Sequence, residues 1–260
     1  MNQEGRPVPV RSAAGGQRSA LLLEGKGCSV DLARPCIMGI LNVTPDSFYD
    51  GGRFATVEAA LSQGRHLAAQ GADIIDVGGE STRPGSAAVS ADLELERIVP
   101  VVEALRSEVS VPLSVDTWKS VVAREAIAAG AAFVNDISGL QFDPEMASVV
   151  AKGGAGLFLM HTRGTPGGMQ ENTRYRDLFS EVYSFLTAQV EKAVRSGIPR
   201  CRLAVDPGIG FGKDLDGNLE LLSRLAEFQS LGLPVLLGTS RKSFLGALLG
   251  RPHPGDRLFG

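Results

Sequence analysis

The chain has 260 residues, of which 43% are hydrophobic and 21% are charged, and its formal net charge is -3. This composition excludes a disordered or low-complexity protein and allows a large apolar core. The charge provides no basic field for nucleic acid, and apolar runs such as residues 126–134 are too short to span a bilayer. We therefore expect a soluble protein with no nucleic-acid and no membrane partner.

Residues 1–20 contain scattered Arg, Gly and Pro but no apolar segment, so they predict a flexible N-terminal tail rather than a secretory signal. The three cysteines, Cys28, Cys36 and Cys201, are odd in number and lack the C-x-x-C spacing of a zinc site. They are interpreted as small core residues in a reducing compartment, which predicts a cytoplasmic location.

A short hairpin is predicted over residues 19–35, and apolar segments then alternate with amphipathic helical segments. The predicted strands cover residues 36–42, 73–78, 113–116, 132–136, 156–161, 202–206 and 234–238. The predicted helices cover residues 56–70, 92–107, 119–129, 144–152, 175–196, 216–228 and 243–250. Gly71 and Gly130 each precede a strand and fit the left-handed residue that ends a helix. Residues 21–260 are predicted to form one domain.

Apolar strands that alternate with helices predict a parallel sheet, because parallel strands need crossover connections and bury both faces. A doubly wound open sheet and a (β/α)8 barrel both fit this order. An open sheet concentrates its binding residues where the strand order reverses, whereas a barrel can use every strand end. Polar residues follow nearly every predicted strand: Asn42, Asp76, Asp116, Asn135, Asp136, His161 and Asp206. The predicted fold class is therefore α/β, a (β/α)8 TIM barrel with about seven βα units in this chain.

Asp116, Asn135 and Asp206 are the strongest candidates for ligand contacts among these residues. Carboxylates and an amide at the ends of parallel strands can converge on one pocket and bind a ring that carries N–H donors and acceptors. For each Asp taken alone, capping of the following helix is about as common a role. Asp76 and Asp136 are interpreted as structural, because each lies beside a stronger candidate.

The segment DPGIGFGK, residues 206–213, is rich in glycine but has the spacing of neither a Walker loop nor the G-x-G-x-x-G motif. Its glycines are interpreted as positions where the backbone approaches a flat ligand, with Phe211 as a wall. Arg241 and Lys242, in GTSRKS, suit an anion near the start of a helix. On this segment alone, a serine cap with solvated cations is the commoner arrangement.

Thr82 and Arg83, in ESTRPG, fit either an anion clamp or an ordinary turn. His161 is interpreted as a structural residue rather than an acid or base, since a lone His near a strand end is usually structural. Together, the polar and basic residues predict a pocket at the carboxyl ends of the strands. Such a pocket suits a heterocycle that carries a phosphorylated tail.

Seven motifs make the chain resemble the dihydropteroate synthase family, in the order IMGILNVTPDSFYDGG, IIDVGGESTRPG, LSVDT, VNDISG, MHTRGTPGGMQ, DPGIGFGK and LLGTSRKSFLG. The resemblance extends from about residue 22 to the last residue, and the first two motifs are highly specific. It implies a TIM-barrel transferase of folate biosynthesis that joins 6-hydroxymethyl-7,8-dihydropterin diphosphate to 4-aminobenzoate and releases diphosphate. It also implies Mg²⁺, inhibition by sulfonamides and, because family members are commonly dimers, a homodimer.

By motif position, the resemblance implies that Asn42 contacts the metal and the diphosphate. Asp116, Asn135, Asp206 and Lys242 would bind the pterin, and Lys242 would also act in catalysis.

The remaining implied roles concern 4-aminobenzoate and the reacting centre. Thr82 and Arg83 would lie in a mobile loop near 4-aminobenzoate and diphosphate. Phe211 and Ser243 would position 4-aminobenzoate. Asp46 would be catalytic, since a carboxylate near the exocyclic methylene stabilises the pterin cation formed when diphosphate leaves.

One departure from the family concerns the C-terminus. Family members continue through an eighth strand with an Arg-x-His motif that binds diphosphate, and this motif is not matched here. The domain is therefore expected to be C-terminally incomplete. Two alternatives follow: a catalytically inactive pterin-binding module, and a pterin-dependent corrinoid methyltransferase, although that class lacks the TPDSF loop and SRKS.

Overall fold

The computed structural model describes residues 21–44, 52–81, 88–165 and 167–257, so the predicted tail of residues 1–20 lies outside the described residues. The strands are β1 (Leu22–Gly25), β2 (Cys28–Asp31), β3 (Met38–Asn42), β4 (Ile74–Gly78), β5 (Leu113–Asp116), β6 (Phe133–Asp136), β7 (Gly156–Met160) and β8 (Leu203–Asp206). The α-helices are α1 (Gly52–Ala69), α2 (Ala91–Glu108), α3 (Ser120–Ala129), α4 (Met146–Gly153), α5 (Leu178–Arg195), α6 (Leu215–Ser223) and α7 (Ser243–Leu249).

The sheet contains six parallel strands in the order β3-β4-β5-β6-β7-β8, and an antiparallel hairpin of β1 and β2 precedes it. Each strand pairs with the next one in the chain, so the strand order never reverses. A doubly wound sheet requires a reversal, and this alternative is therefore excluded. The α/β class with a parallel sheet of alternating βα units, predicted from the pattern of apolar segments, is confirmed.

The predicted seventh strand, residues 234–238, is wrong. In its place Val235 forms a single parallel bridge with Val205. The Val205 N–H donates to the Pro234 carbonyl at 2.9 Å, and the Leu236 N–H donates to the Val205 carbonyl at 2.8 Å. Pro234 has no N–H, and Gly232, two residues before it, has a left-handed backbone (φ 66°). Few residues of this segment can therefore form the hydrogen bonds of a sheet strand. The described chain thus has six sheet strands and one bridge where seven strands were expected.

Helix ends follow the capping chemistry of the sequence. Asp177 accepts a hydrogen bond from Ser180 N–H and starts α5 later than predicted, and Asp214 caps α6 through Gly217 N–H. The predicted glycine stop at Gly130 is confirmed, because this residue has φ 129° and donates to the Ala126 carbonyl after α3. The predicted helix over residues 216–228 is two elements, since α6 ends at Ser223 and a 3-10 helix follows over Leu225–Leu231.

The amino end of the sheet interior is filled by apolar side chains. Phe133 and Phe158 pack with ring centroids 5.6 Å apart, and the hairpin adds Leu23 to the same cluster. Phe133 fits because its neighbours are glycines: a Cβ at Gly25 or Gly156 would lie 2.7 or 2.4 Å from its ring. Apolar side chains therefore fill the amino end of the interior, and the polar candidate residues lie at the carboxyl ends of the strands.

Candidate active site

Three of the predicted side chains lie along the carboxyl edge of the sheet. The register pairs Asn42 with Gly78, Gly78 with Asp116, and Asp116 with Asn135. Gly78 leaves space between its neighbours: a Cβ there would lie 3.6 Å from Asn42 Oδ1 and 3.7 Å from Asp116 Oδ2. The missing side chain thus opens a small gap that is lined by oxygen atoms from β3 and β5.

Asp76 lies on β4 behind this row and holds the amide of Asn135. The Asn135 Nδ2 donates to Asp76 Oδ2 at 2.8 Å, which bears out a structural role for Asp76. Asp76 Oδ1 and Asp116 Oδ1 are buried and have no hydrogen-bond partner among the described residues. Buried carboxylate oxygens are normally hydrogen-bonded, so the free Oδ1 of Asp116, at the carboxyl edge of the sheet, is suited to a ligand that carries N–H donors.

Electrostatics at these two carboxyls reflect their burial and proximity. Burial raises the pKa of Asp76, and the hydrogen bond from Asn135 opposes this rise. Burial also raises the pKa of Asp116 well above its usual range, and the charge of Asp76 adds to the effect. A cationic group or an N–H donor in the site would therefore stabilise the ionised carboxylates.

Asp206 ends β8 and starts a tight turn. Its Oδ1 accepts the Gly208 N–H at 2.6 Å. Burial raises its pKa to about 6, and this rise is opposed by the Gly208 hydrogen bond and by the charges of Lys242 and Lys213. Asp206 therefore titrates close to neutral pH, unlike an exposed aspartate.

Lys242 and Phe211, on separate predicted motifs, are adjacent in the structure. The Lys242 Nζ lies 4.0 Å from the centroid of the Phe211 ring. Burial lowers the pKa of Lys242, whereas the charges of Asp206 and Asp116 raise it. The interpretation of this lysine as a solvated cation is therefore wrong, and Ser243 does not cap the helix, because Lys242 is the N-cap residue of α7 and makes no side-chain cap.

Helix capping does not explain the other candidates. The N-cap residue of α3 is Lys119, which follows Asp116 by three positions, and that of α6 is Asp214 rather than Asp206. Asp136 does have the structural role that was predicted for it. Its carboxylate accepts hydrogen bonds from Ser138 and from the Leu140 N–H.

His161 is buried and structural, as predicted, but its partner was not foreseen. The Lys213 Nζ lies 2.9 Å from His161 Nδ1. It also donates to the carbonyls of Gly208 at 2.9 Å and Phe211 at 2.8 Å. The motif around Lys213 gave no signal of burial, because lysine is almost always solvated.

A second lysine, Lys119, is partly buried. The Lys119 Nζ forms ion pairs with both Glu80 and Glu94, whose side chains are 4% and 1% exposed. Glu80 Oε1 also accepts the Val89 N–H at 2.9 Å. These contacts connect the end of β4 to the start of α2. The predicted site residues Asp46, Thr82 and Arg83 lie outside the described residues.

Comparison with known proteins defines the class first. Residues 38–260 match the family described as "Pterin binding enzyme". A dihydropteroate synthase of Synechocystis sp. is 48% identical over 227 residues, which cover 87% of this chain and 78% of that protein.

Two solved structures extend the similarity. The structure of Xanthomonas albilineans dihydropteroate synthase with 4-aminobenzoic acid matches with a TM-score of 0.86 and 45% identity, covering 92% of this chain and 85% of that chain. The Yersinia pestis dihydropteroate synthase with a sulfonamide drug matches with a TM-score of 0.86 and 47% identity, over 92% of this chain and 86% of that chain. The chain belongs to the pterin-binding enzymes and, within them, to the dihydropteroate synthases, which are transferases of folate biosynthesis.

Among the helices that the structure describes, none combines the length and the apolar character needed to cross a membrane. The cytoplasmic location and the homodimer stay predictions.

Proposed function

We propose that this chain condenses 6-hydroxymethyl-7,8-dihydropterin diphosphate with 4-aminobenzoate to form 7,8-dihydropteroate and diphosphate. The observation that carries the proposal is Asp116 Oδ1, a buried carboxylate oxygen at the carboxyl edge of the sheet that has no hydrogen-bond partner among the described residues. A pterin ring carries an amino group and ring N–H groups, which can donate hydrogen bonds to such an oxygen. Membership of the dihydropteroate synthases supports the same substrates.

The pterin contacts are proposed for Asp116, Asn135, Asp206 and Lys242. The Asn135 Nδ2 is already bound to Asp76, so its Oδ1 remains as an acceptor. The carboxylates of Asp116 and Asp206 and the amide oxygen of Asn135 would therefore accept hydrogen bonds from the donor-rich edge of the pterin. Lys242 would donate to a ring acceptor and would offset the negative charge of the two aspartates.

The contacts with 4-aminobenzoate are proposed for Phe211 and Ser243. Phe211 provides an aromatic surface next to Lys242. Ser243 is the first residue of α7 and is exposed. Thr82 and Arg83 are proposed to contact 4-aminobenzoate and diphosphate on the evidence of motif position. An arylamine is a weak nucleophile, so its placement contributes more than a general base would.

Mg²⁺ is proposed as the cofactor, with Asn42 as its protein ligand. The described residues contain no group of three or more His, Cys, Asp or Glu suited to a metal. Mg²⁺ takes oxygen ligands, keeps several waters and is usually bound by one or two carboxylates together with substrate phosphates, so the Asn42 amide oxygen would be one oxygen ligand among these. When bound, Mg²⁺ would neutralise charge on the diphosphate leaving group. Asp46 is proposed, on motif position, to stabilise the pterin cation that remains.

Removal of the metal is expected to lower diphosphate release at least about 10-fold, because the leaving group then keeps its full negative charge. The measurement is the initial rate with excess EDTA and after Mg²⁺ is restored. Ca²⁺ at equal concentration is the control for ionic strength and charge. An EDTA-treated enzyme that keeps its rate would contradict the role of the metal.

The function is tested by incubating the full chain with both substrates and Mg²⁺ and measuring diphosphate and dihydropteroate. Formation of both products supports the proposal. Calorimetric binding of pterin diphosphate without any release would instead indicate an inactive pterin-binding module. Transfer of a methyl group to a corrinoid would indicate the methyltransferase. A sulfonamide should inhibit competitively, so excess 4-aminobenzoate should relieve the inhibition.

A further inference from the structure

Among the described residues near the site, Lys213 is the most completely buried cation. Three hydrogen-bond acceptors surround its ammonium group. An ammonium group has three N–H donors. His161 Nδ1 lies 2.9 Å from the Lys213 Nζ, and the Gly208 and Phe211 carbonyls lie at 2.9 and 2.8 Å. The charged form therefore satisfies every donor. Burial lowers the pKa of His161 to about 2, so this ring is neutral and its Nδ1 can accept.

Two of these acceptors belong to the turn of residues 208–212. Gly208, Gly210 and Gly212 in this turn have φ of 71°, 83° and 64°, so it is a left-handed backbone that needs support. The turn packs closely against the residue that follows β7, since a Cβ at Gly208 would lie 1.9 Å from the His161 carbonyl oxygen. The Lys213 ammonium group therefore links Gly208 and Phe211, in this turn, to His161, which directly follows β7.

The turn carries the residues that the proposed function uses. Phe211 lies within it, and the Lys242 Nζ rests 4.0 Å from the Phe211 ring centroid. Asp206 immediately precedes it and accepts the Gly208 N–H. A shift of the turn would therefore displace an aromatic wall and a pterin ligand together.

The charge of Lys213 also acts on Asp206. It lowers the pKa of Asp206, and Asp206 raises the pKa of Lys213. The other charged groups that act on this pair are Lys242 and Arg163. Burial lowers the pKa of Lys213 to about 7, so this lysine remains charged at the pH where Asp206 titrates, about 6.

We propose that Lys213 is a positioning residue of the pterin site, which holds the turn of residues 208–212 beneath Lys242 and keeps the Asp206 carboxylate ionised. The inference rests on the proposed pterin contact of Asp206. A purely structural lysine would support the turn without affecting the ionisation of the pterin site, and pH dependence distinguishes the two roles.

The test measures binding of pterin diphosphate by calorimetry between pH 5.5 and 8.5 in the full chain. Lys213→Met should shift the acid limb of the affinity profile upward by about one pH unit, and weaken binding about 3-fold at pH 6.5. Lys213→Arg retains the charge and should keep the limb near its wild-type position. Lys213→Gln can still donate to the carbonyls, so it should be more stable than Lys213→Met and show the same shift.

A double-variant comparison assigns the shift to Asp206. The charges that act on Asp116, the other titrating pterin ligand, come from Asp76, Glu94, Asp136 and Lys242. Adding Lys213→Met to an Asp206→Asn background should therefore produce no further shift. An unshifted limb in both Lys213→Met and Lys213→Gln would overturn the inference. Product formation by the unaltered chain tests the proposed function separately, because it does not depend on the position of the limb.

Discussion

Replacing Asp206 with asparagine is expected to lower kcat/KM for pterin diphosphate about 100-fold. The variant loses a charged acceptor at a buried position and presents an amide N–H to a ligand donor. A hydrogen bond to a charged group contributes about 1.5–3 kcal/mol, which corresponds to a factor of about 10 to 150. Steady-state kinetics with each substrate varied in turn measure the loss, which should appear in the pterin substrate.

The matched control is Asp216→Asn, an exposed aspartate in the first turn of α6. It should leave kcat/KM within about 2-fold of the original value, since surface substitutions have small effects.

The pH profile adds a second readout. The pKa of Asp206 is raised to about 6, so pterin binding should weaken as pH falls through that value and the acceptor is protonated. The asparagine variant should lose this part of the profile and keep only the contribution of Asp116; an unchanged profile would exclude Asp206 from pterin binding.

The second large effect concerns stability. Lys119→Met should lower the free energy of unfolding by about 3–5 kcal/mol, because it leaves the carboxylates of Glu80 and Glu94 buried without their cation. Urea denaturation followed by circular dichroism measures the loss. Lys152→Met is the control, as Lys152 is exposed in the last turn of α4 and its replacement should cost less than about 0.5 kcal/mol.

The pH dependence of this deficit has a defined sign. Burial raises the pKa of Glu94, and Lys119 opposes the rise, so removing Lys119 raises it further. A glutamate with a raised folded-state pKa favours folding below its unfolded pKa of about 4.3, and this contribution is lost as pH rises through the folded value. The Lys119→Met deficit should therefore grow as the pH rises above about 4. Adding Glu94→Gln should recover part of it, and a deficit that is constant with pH would contradict this explanation.

Local chemistry explains which predictions were confirmed. The sheet class followed from apolar segments that alternate with helices, and the strand bounds differed by a residue or two. Gly130 ended a helix as predicted because only glycine tolerates φ 129° there. The seventh strand failed because apolar composition says nothing about whether each N–H has a partner. Pro234 has no N–H, and the segment after it makes one bridge instead of a ladder.

The sequence by itself determined the family and the row of polar residues at the strand ends. Motifs are local, and parallel strands end at one edge, so Asn42, Asp116 and Asn135 were expected along the same edge of the sheet. Only the tertiary structure decided which charges are buried and paired. Lys119 meets Glu94 and Glu80 across 25 and 39 positions of the chain, and Lys213 meets His161 across 52. These pairings depend on how βα units pack together, and the cost of burying a lysine becomes apparent only when all its neighbours are in place.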